Sequence, residues 1–270
     1  MRADQLLVER GLAASRSQAV RLIAGGLRWR AQAAQPWRTV AKNGEELPEG
    51  AELDLVDGAE ARYVSRGGLK LEGALAATGV AVAGRTCLDV GQSTGGFTDC
   101  LLQQGAAHVV GVDVGHGQLH ARLASDARVT AIERCNARAL DASHLCEALP
   151  FANGAPVGFD LIVGDLSFIS LTLVLPALAP LLQPQGDLLM LVKPQFELQP
   201  GQVGKGGIVR DVSLYAHIET RVRDAAVACG LLVQHWLPSP ITGGDGNREF
   251  FIHARRGDLP GGGHAPATEL

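Results

Sequence analysis

From Thr86 onward, short apolar runs alternate with amphipathic stretches along most of the chain. The runs over 86–90, 108–113, 128–132, 159–164, 187–192, 231–236 and 249–254 read as strands, and 95–104, 117–124, 171–182 and 213–229 read as helices. Such alternation predicts an α/β fold, a mostly parallel sheet with helices on both faces. Gly67-Gly68 precedes one more helix, which carries Leu71, Ala74, Leu75 and Thr78 on one side.

The first 61 residues keep a different rhythm. Asp4 is the expected N-cap of a helix that runs to Arg10 and stops at Gly11, with Leu6 and Leu7 inward. Ser15 or Ser17 caps a second helix with Ala19, Val20, Leu22 and Ile23 as its apolar stripe. Leu27–Arg30 and Ala51–Val56 have strand character. A module of about 60 residues is near the lower limit for independent folding. The expected organisation is therefore a small domain over 1–61, a linker over 62–66, a large domain over 67–256, and a disordered glycine- and proline-rich tail over 257–270.

Composition narrows the possibilities. A hydrophobic share of 46% supports a packed core, and no apolar run has the length of a membrane span. Met1-Arg2-Ala3-Asp4 does not open a secretory signal. Five cysteines without a CxxC pair predict free thiols in a reducing cytosol and no zinc site. The net charge of −4 excludes a uniformly basic nucleic-acid binder. Its distribution is uneven, however. Arg2, Arg10, Arg16, Arg21, Arg28, Arg30, Arg38 and Lys42 face only Asp4 and Glu9 in the first 42 residues, and a purely acidic set follows from Glu45 to Glu60. Such a segment can present a positive face that the total conceals.

The candidate chemistry begins with Leu88-Asp89-Val90-Gly91-Gln92-Ser93-Thr94-Gly95-Gly96-Phe97-Thr98-Asp99, an apolar strand, then a glycine-rich turn opening a helix. Glycines allow close approach of a ligand, and a helix start offers unpaired N–H groups. Asp113 ends the next apolar run, where a ribose diol needs an acceptor. Gln92 stands where this turn calls for a small residue. Four charged residues lie at or near the ends of expected elements: Lys70 early in a helix, Asp165 and Lys193 closing strands, and Glu249 beginning the last strand. A lysine closing a buried strand is costly to desolvate unless paired, so two lysines and two carboxylates at one sheet edge would pair mutually.

This order of motifs resembles the TlyA-type (haemolysin A-like) ribosomal RNA methyltransferases of bacteria, which join an S4 RNA-binding module to an FtsJ-like methyltransferase domain. The resemblance extends to about Arg256. It is carried by Asp4–Leu12, Ser65-Arg66-Gly67-Gly68-Leu69-Lys70-Leu71, Asp89-Val90-Gly91 with Ser93–Asp99, Asp165-Leu166-Ser167-Phe168-Ile169-Ser170, Val192-Lys193-Pro194-Gln195-Phe196-Glu197, Gly204–Arg210 and Gly246-Asn247-Arg248-Glu249-Phe250. It implies a Rossmann-like seven-stranded domain using S-adenosylmethionine, and 2′-O-methylation of ribose, at cytidine, in ribosomal RNA or ribosomal subunits. Lys70, Asp165, Lys193 and Glu249 match the Lys-Asp-Lys-Glu tetrad of such enzymes.

By the same resemblance Lys193 favours loss of the hydroxyl proton, either as base, if its surroundings favour the neutral amine, or as electrostatic stabiliser of the alkoxide. Asp165 orients it and touches the cofactor's amino group, while Lys70 and Glu249 hold the ribose. No metal is implied. Asp89, Gly91, Ser93, Thr94, Gly95, Gly96 and Phe97 surround the methionine end, Asp113 takes the ribose hydroxyls, and Cys135 or Asn136 meets adenine. Arg10, Arg16, Arg21, Arg28 and Arg30 are the expected phosphate contacts, with Trp29 and Trp37 as stacking platforms. Two other functions suit parts of this pattern: an RNA- or ribosome-binding protein without methyl transfer, and an NAD-linked dehydrogenase using Asp113 for ribose. The tetrad offers the second no hydride-transfer acid.

Overall fold

The computed structural model describes residues 1–13, 15–24, 26–55, 62–146 and 158–257. The expected tail beyond Gly257, the boundary at Ala61 and the side chain of Arg21 lie outside the described part.

The N-terminal part has its own core. Helices α1 (Ala3–Glu9) and α2 (Arg16–Ala24) pack Leu6, Leu7, Leu22 and Ile23 against Leu27, Val40 and Leu47. A three-stranded antiparallel sheet completes it, with β1 (Leu27–Arg30) between β2 (Arg38–Thr39) and β3 (Glu52–Leu55). Asp4 is not the cap of α1: the helix starts one residue before it, and Arg2 is the flanking residue. The loop ahead of β3 satisfies the helix end instead, with the amides of Ala3 and Asp4 donating to the carbonyls of Glu45 and Asn43. Asp4 is thereby free to pair with Arg2 and Arg16, whose guanidinium groups hold its buried carboxyl far below the usual range. Ser15 does cap α2, accepting from the amide of Gln18.

Beyond the small module lies a seven-stranded sheet. Its strands are β4 (Thr86–Val90), β5 (His108–Val112), β6 (Val129–Ile132), β7 (Phe159–Gly164), β8 (Leu182–Val192), β9 (Leu231–Pro238) and β10 (Phe250–Arg256). They lie side by side as β6-β5-β4-β7-β8-β10-β9. β6, β5, β4, β7 and β8 run parallel, and β10 enters antiparallel between β8 and β9. This is a Rossmann-like α/β architecture, with the order reversing between β4 and β7. One apolar layer gathers Val110, Ile162 and Leu188 with α5 (Leu214–Ala228), and the other gathers Val109, Leu161 and Leu189 with α3 (Gly67–Thr78) and α4 (Gly96–Gln103).

Two expected helices are shorter. Of 117–124 only the turn Ala121–Ala124 is helical, and 171–182 is broken into Leu171–Leu173, Leu175–Leu178 and Ala179–Leu181. Pro176 and Pro180 lack the N–H that a continuous helix needs. The segment 62–66 packs onto the large domain: Tyr63 is buried beside Leu71 and Phe97, and the amide of Val64 donates to Asp99.

Candidate active site

At the switch point, β4 and β7 end side by side, and the crevice beyond their carboxyl ends is where an open α/β sheet binds ligands. Gly91 follows β4 with φ +83°, and a Cβ there would lie 2.8 Å from the carbonyl oxygen of Asp165. Only glycine lets the two strand ends approach this closely. A cleft of about 410 Å³ opens here, walled by Gly91, Ser93, Asp113, Cys135, Asn136 and Asp165, with Val112, Val114 and Ile169 supplying apolar surface. A second hollow of about 210 Å³ adjoins it and adds Thr94, Gly96, Phe97, Ser65 and Lys193. Gly91, Ser93, Asp165 and Ser167 belong to both, so the two are one continuous groove.

The four expected charged residues meet beside this groove, but only Asp165 and Lys193 line it, while Lys70 and Glu249 are buried next to Asp165. Lys193 follows β8 and places Nζ 2.6 Å from Asp165 Oδ1, while Lys70, in the first turns of α3, places its own Nζ 2.6 Å from Glu249 Oε2. Lys70 also lies 3.8 Å from Asp165 Oδ2, so Asp165 is shared by two lysine side chains. Burial pushes the carboxyl of Glu249 above its ordinary value, and the Lys70 charge opposes that shift. Charges buried this deeply persist only when paired.

The glycine turn is held from behind. Asp89 is fully buried; burial pushes its carboxyl up to about 7, against a hydrogen bond from Thr98 at 2.7 Å. Its Oδ1 is buried with no hydrogen-bond partner. Gln92 borders the second hollow, and its buried side-chain amide donates to Thr98 Oγ1 at 3.0 Å. Asp113 accepts from the amides of Ser93 and Gly115, both at 2.7 Å, which pins the turn to the end of β5. Asp89 and Gly95 do not line the groove: Asp89 lies beneath the turn, and Gly95 faces Leu119 and Leu123. The donor set nevertheless fits a nucleoside with a cationic tail: an apolar slot, an acid at the diol position, a glycine approach, and an unsatisfied buried carboxylate oxygen under the turn.

Residues 63–256 match the FtsJ-like methyltransferase family. The chain belongs to this family. It is 47% identical over 254 residues to the 16S/23S rRNA (cytidine-2′-O)-methyltransferase TlyA of Mycobacterium tuberculosis, covering 94% of this chain and 89% of that one. Hemolysin A of Brachyspira hyodysenteriae is 36% identical over 94% of this chain and 99% of its own. Among solved structures, a Streptococcus thermophilus chain provisionally called a hemolysin superposes with a TM-score of 0.72 at 41% identity, covering 96% of this chain and 90% of that one.

Other residues of this FtsJ-like chain lie in or near the site without having been assigned a role from sequence. Ser167 accepts a hydrogen bond from Lys193 Nζ at 2.8 Å. Phe168, 91% exposed with φ +64°, lies against Phe196 at the rim. Asn247, within the Thr242–Glu249 loop, is buried outside the groove, accepting from the amide of Val209 and donating to the carbonyl of Gly207. All three stand in the motifs that carry the resemblance, but nothing local in the chain tells a contact from a spacer.

Four of the expected phosphate-binding arginines have partners within the module. Arg28 meets Asp54 and Arg30 meets Glu52 across the β1–β3 ladder, Arg16 meets Asp4, and Arg10 donates to the carbonyls of Ala51 and Glu49. Trp37 is exposed with Arg30 4.5 Å over its ring, whereas Trp29 packs against the small core.

Proposed function

We propose that this protein methylates the 2′-hydroxyl of a ribose, at cytidine, in ribosomal RNA, using S-adenosylmethionine. The observation that carries the reading is the pairing of Lys193 with Asp165 in the wall of a nucleoside-sized groove, with the buried Lys70–Glu249 pair beside Asp165. When bound, S-adenosylmethionine supplies a methyl group already activated by a positively charged sulfur, so the protein need only prepare the nucleophile. Asp113 accepts from the cofactor's ribose hydroxyls, Cys135 and Asn136 border the base, and Gly91, Ser93, Thr94, Gly96 and Phe97 border the amino-acid end. Asp89 and Gly95 support that end from behind.

A ribose hydroxyl is a poor nucleophile at neutral pH, so its proton must be received as the new bond forms. Lys193 receives it at Nζ, and Asp165 holds that nitrogen toward the groove. Lys70 and Glu249 form a buried neutral pair that braces Asp165 and borders the target ribose. The N-terminal module places the RNA, through phosphate contacts by Arg10, Arg16, Arg21, Arg28 and Arg30; of these, Arg10, Arg16, Arg28 and Arg30 exchange their present partners for phosphate. A ribosomal RNA substrate places the protein in the cytoplasm, and no described helix is long and apolar enough to cross a membrane.

The test is methyl transfer from labelled S-adenosylmethionine to ribosomal subunits, with ribose methylation mapped along the RNA. Lys193→Ala is expected to lose at least about 100-fold in rate while binding S-adenosylmethionine normally. A Lys193→Ala protein that methylates at the wild-type rate overturns the mechanism. A wild-type protein that binds subunits but not S-adenosylmethionine identifies an RNA-binding protein instead.

A further inference from the structure

The terminal nitrogen of Lys193 has three directions left after its bond to Cε. Two are spoken for. Nζ lies 2.6 Å from Asp165 Oδ1 and donates to Ser167 Oγ at 2.8 Å. Both acceptors come from one short segment just beyond β7, and both border the two hollows of the groove. We infer that Ser167 is a positioning residue for methyl transfer: its hydrogen bond, added to the ion pair with Asp165, orients Lys193 Nζ so that the remaining direction faces the target hydroxyl. The inference rests on the reading of Lys193 as the group that receives the hydroxyl proton.

The geometry is that of a tetrahedral nitrogen. A neutral amine has two hydrogens and one lone pair. With Asp165 alone, one direction is set and the lone pair can take either of the other two. Ser167 claims one of these and leaves the lone pair the other. As the hydroxyl reacts, its O–H bond breaks and an N–H bond forms at the fixed position. The electron pair left on oxygen would form the bond to the methyl carbon as the donor's carbon–sulfur bond breaks and its electrons go to sulfur, leaving a neutral thioether. Lys193 becomes an ammonium that later returns its proton to solvent.

The other charged groups near Lys193 do not substitute for Ser167. Glu249 is bound by Lys70, and Asp245 by the side chains of Asn247 and Gln195. Lys70, on the far side of Asp165, is itself a cation and can only donate. The rival reading is that Ser167 simply fills an exposed turn where any small residue would do.

Single-turnover methyl transfer to ribosomal subunits by the full chain, measured across pH, separates these readings, with wild type, Ser167→Ala, Ser167→Thr and Lys193→Ala compared. Ser167→Ala is expected to lower the plateau rate by about 10- to 100-fold. KM for cofactor and RNA and the melting temperature should stay near wild type. The acid limb of its rate–pH profile should move to lower pH, because an ammonium that loses an acceptor gives up its proton more readily. Ser167→Thr, which keeps Oγ, should recover most of the rate. The proposal is overturned if Lys193→Ala is inactive while Ser167→Ala keeps the wild-type plateau and pH profile. It is equally overturned if Ser167→Thr is as slow as Ser167→Ala. If Lys193→Ala itself is fully active, the underlying reading of Lys193 fails first.

Discussion

The side-chain amide of Gln92 fills the space above Gly111, so that a Cβ built on Gly111 would fall 2.0 Å from Gln92 Cδ. This contact explains how a long polar residue sits in a tight ligand turn. Glycine on β5 makes room behind the turn, and Thr98 receives the Gln92 amide.

Gly111→Ala should therefore dislodge Gln92 and break its bond to Thr98, lowering stability by about 1–3 kcal/mol as an overpacking substitution does. Adding Gln92→Ala should recover part of that loss, because it removes the colliding group. Thermal or urea denaturation of the single and double variants checks this, and additive losses would contradict it.

The pair of Lys70 and Glu249 is nearly excluded from water, with side-chain exposures of 9% and 3%. Removing one member strands the other, so Glu249→Ala should cost about 3–5 kcal/mol. Replacing both with apolar residues of similar size, as in Lys70→Met with Glu249→Leu, should restore much of the stability and none of the activity. Denaturation curves alongside methyl-transfer assays distinguish the two effects. A double variant that is active would refute the proposed role of the pair.

Asp89 gives stability a pH dependence of defined sign. Burial raises its carboxyl to about 7 in the folded protein, whereas an unfolded chain releases that proton near the ordinary carboxylate value. Between about pH 4 and pH 7 the folded state binds more protons, so this residue's contribution falls as pH rises and levels off above about 7. Asp89→Asn should remove the slope. The variant should gain on wild type between about pH 4.5 and pH 8, while binding S-adenosylmethionine more weakly. An unchanged stability difference at the two pH values would count against this account.

Asn247 ties the 204–210 loop to the segment that carries Glu249, by accepting from the amide of Val209 and donating to the carbonyl of Gly207. Asn247→Ala leaves a buried amide unsatisfied, at about 1–3 kcal/mol. The loop should then open to trypsin at Lys205 or Arg210. Wild-type rates of tryptic cleavage at those sites would show that the loop is held by other contacts.

Strand ends were the easiest part of the site to read in the chain. In a parallel sheet the carboxyl ends of successive strands meet at one edge, so Asp165 and Lys193 could be brought together from periodicity alone. The partner of Lys70 could not, because a helix start and the last strand meet only through the order in which β10 enters the sheet. The 171–182 stretch has helical periodicity, yet its prolines break it into short turns. The basic and acidic blocks of the first module are separate in sequence, but the register Arg28↔Asp54 and Arg30↔Glu52 sets them face to face. A positive surface inferred from segregation along the chain is thus partly neutralised across the ladder.

What the chain specifies locally is the alternation of apolar runs, the glycine turn after β4 and the polar residues that close each strand, since these depend on near neighbours and backbone freedom. What only folding in three dimensions decides is which charges meet. It shares Asp165 between two lysines, buries the Gln92 amide against Thr98, and sets Ser167 beside Lys193. The reason is range: backbone preference acts over a few residues, whereas pairing energy depends on distance and burial, which exist only after distant segments have packed together.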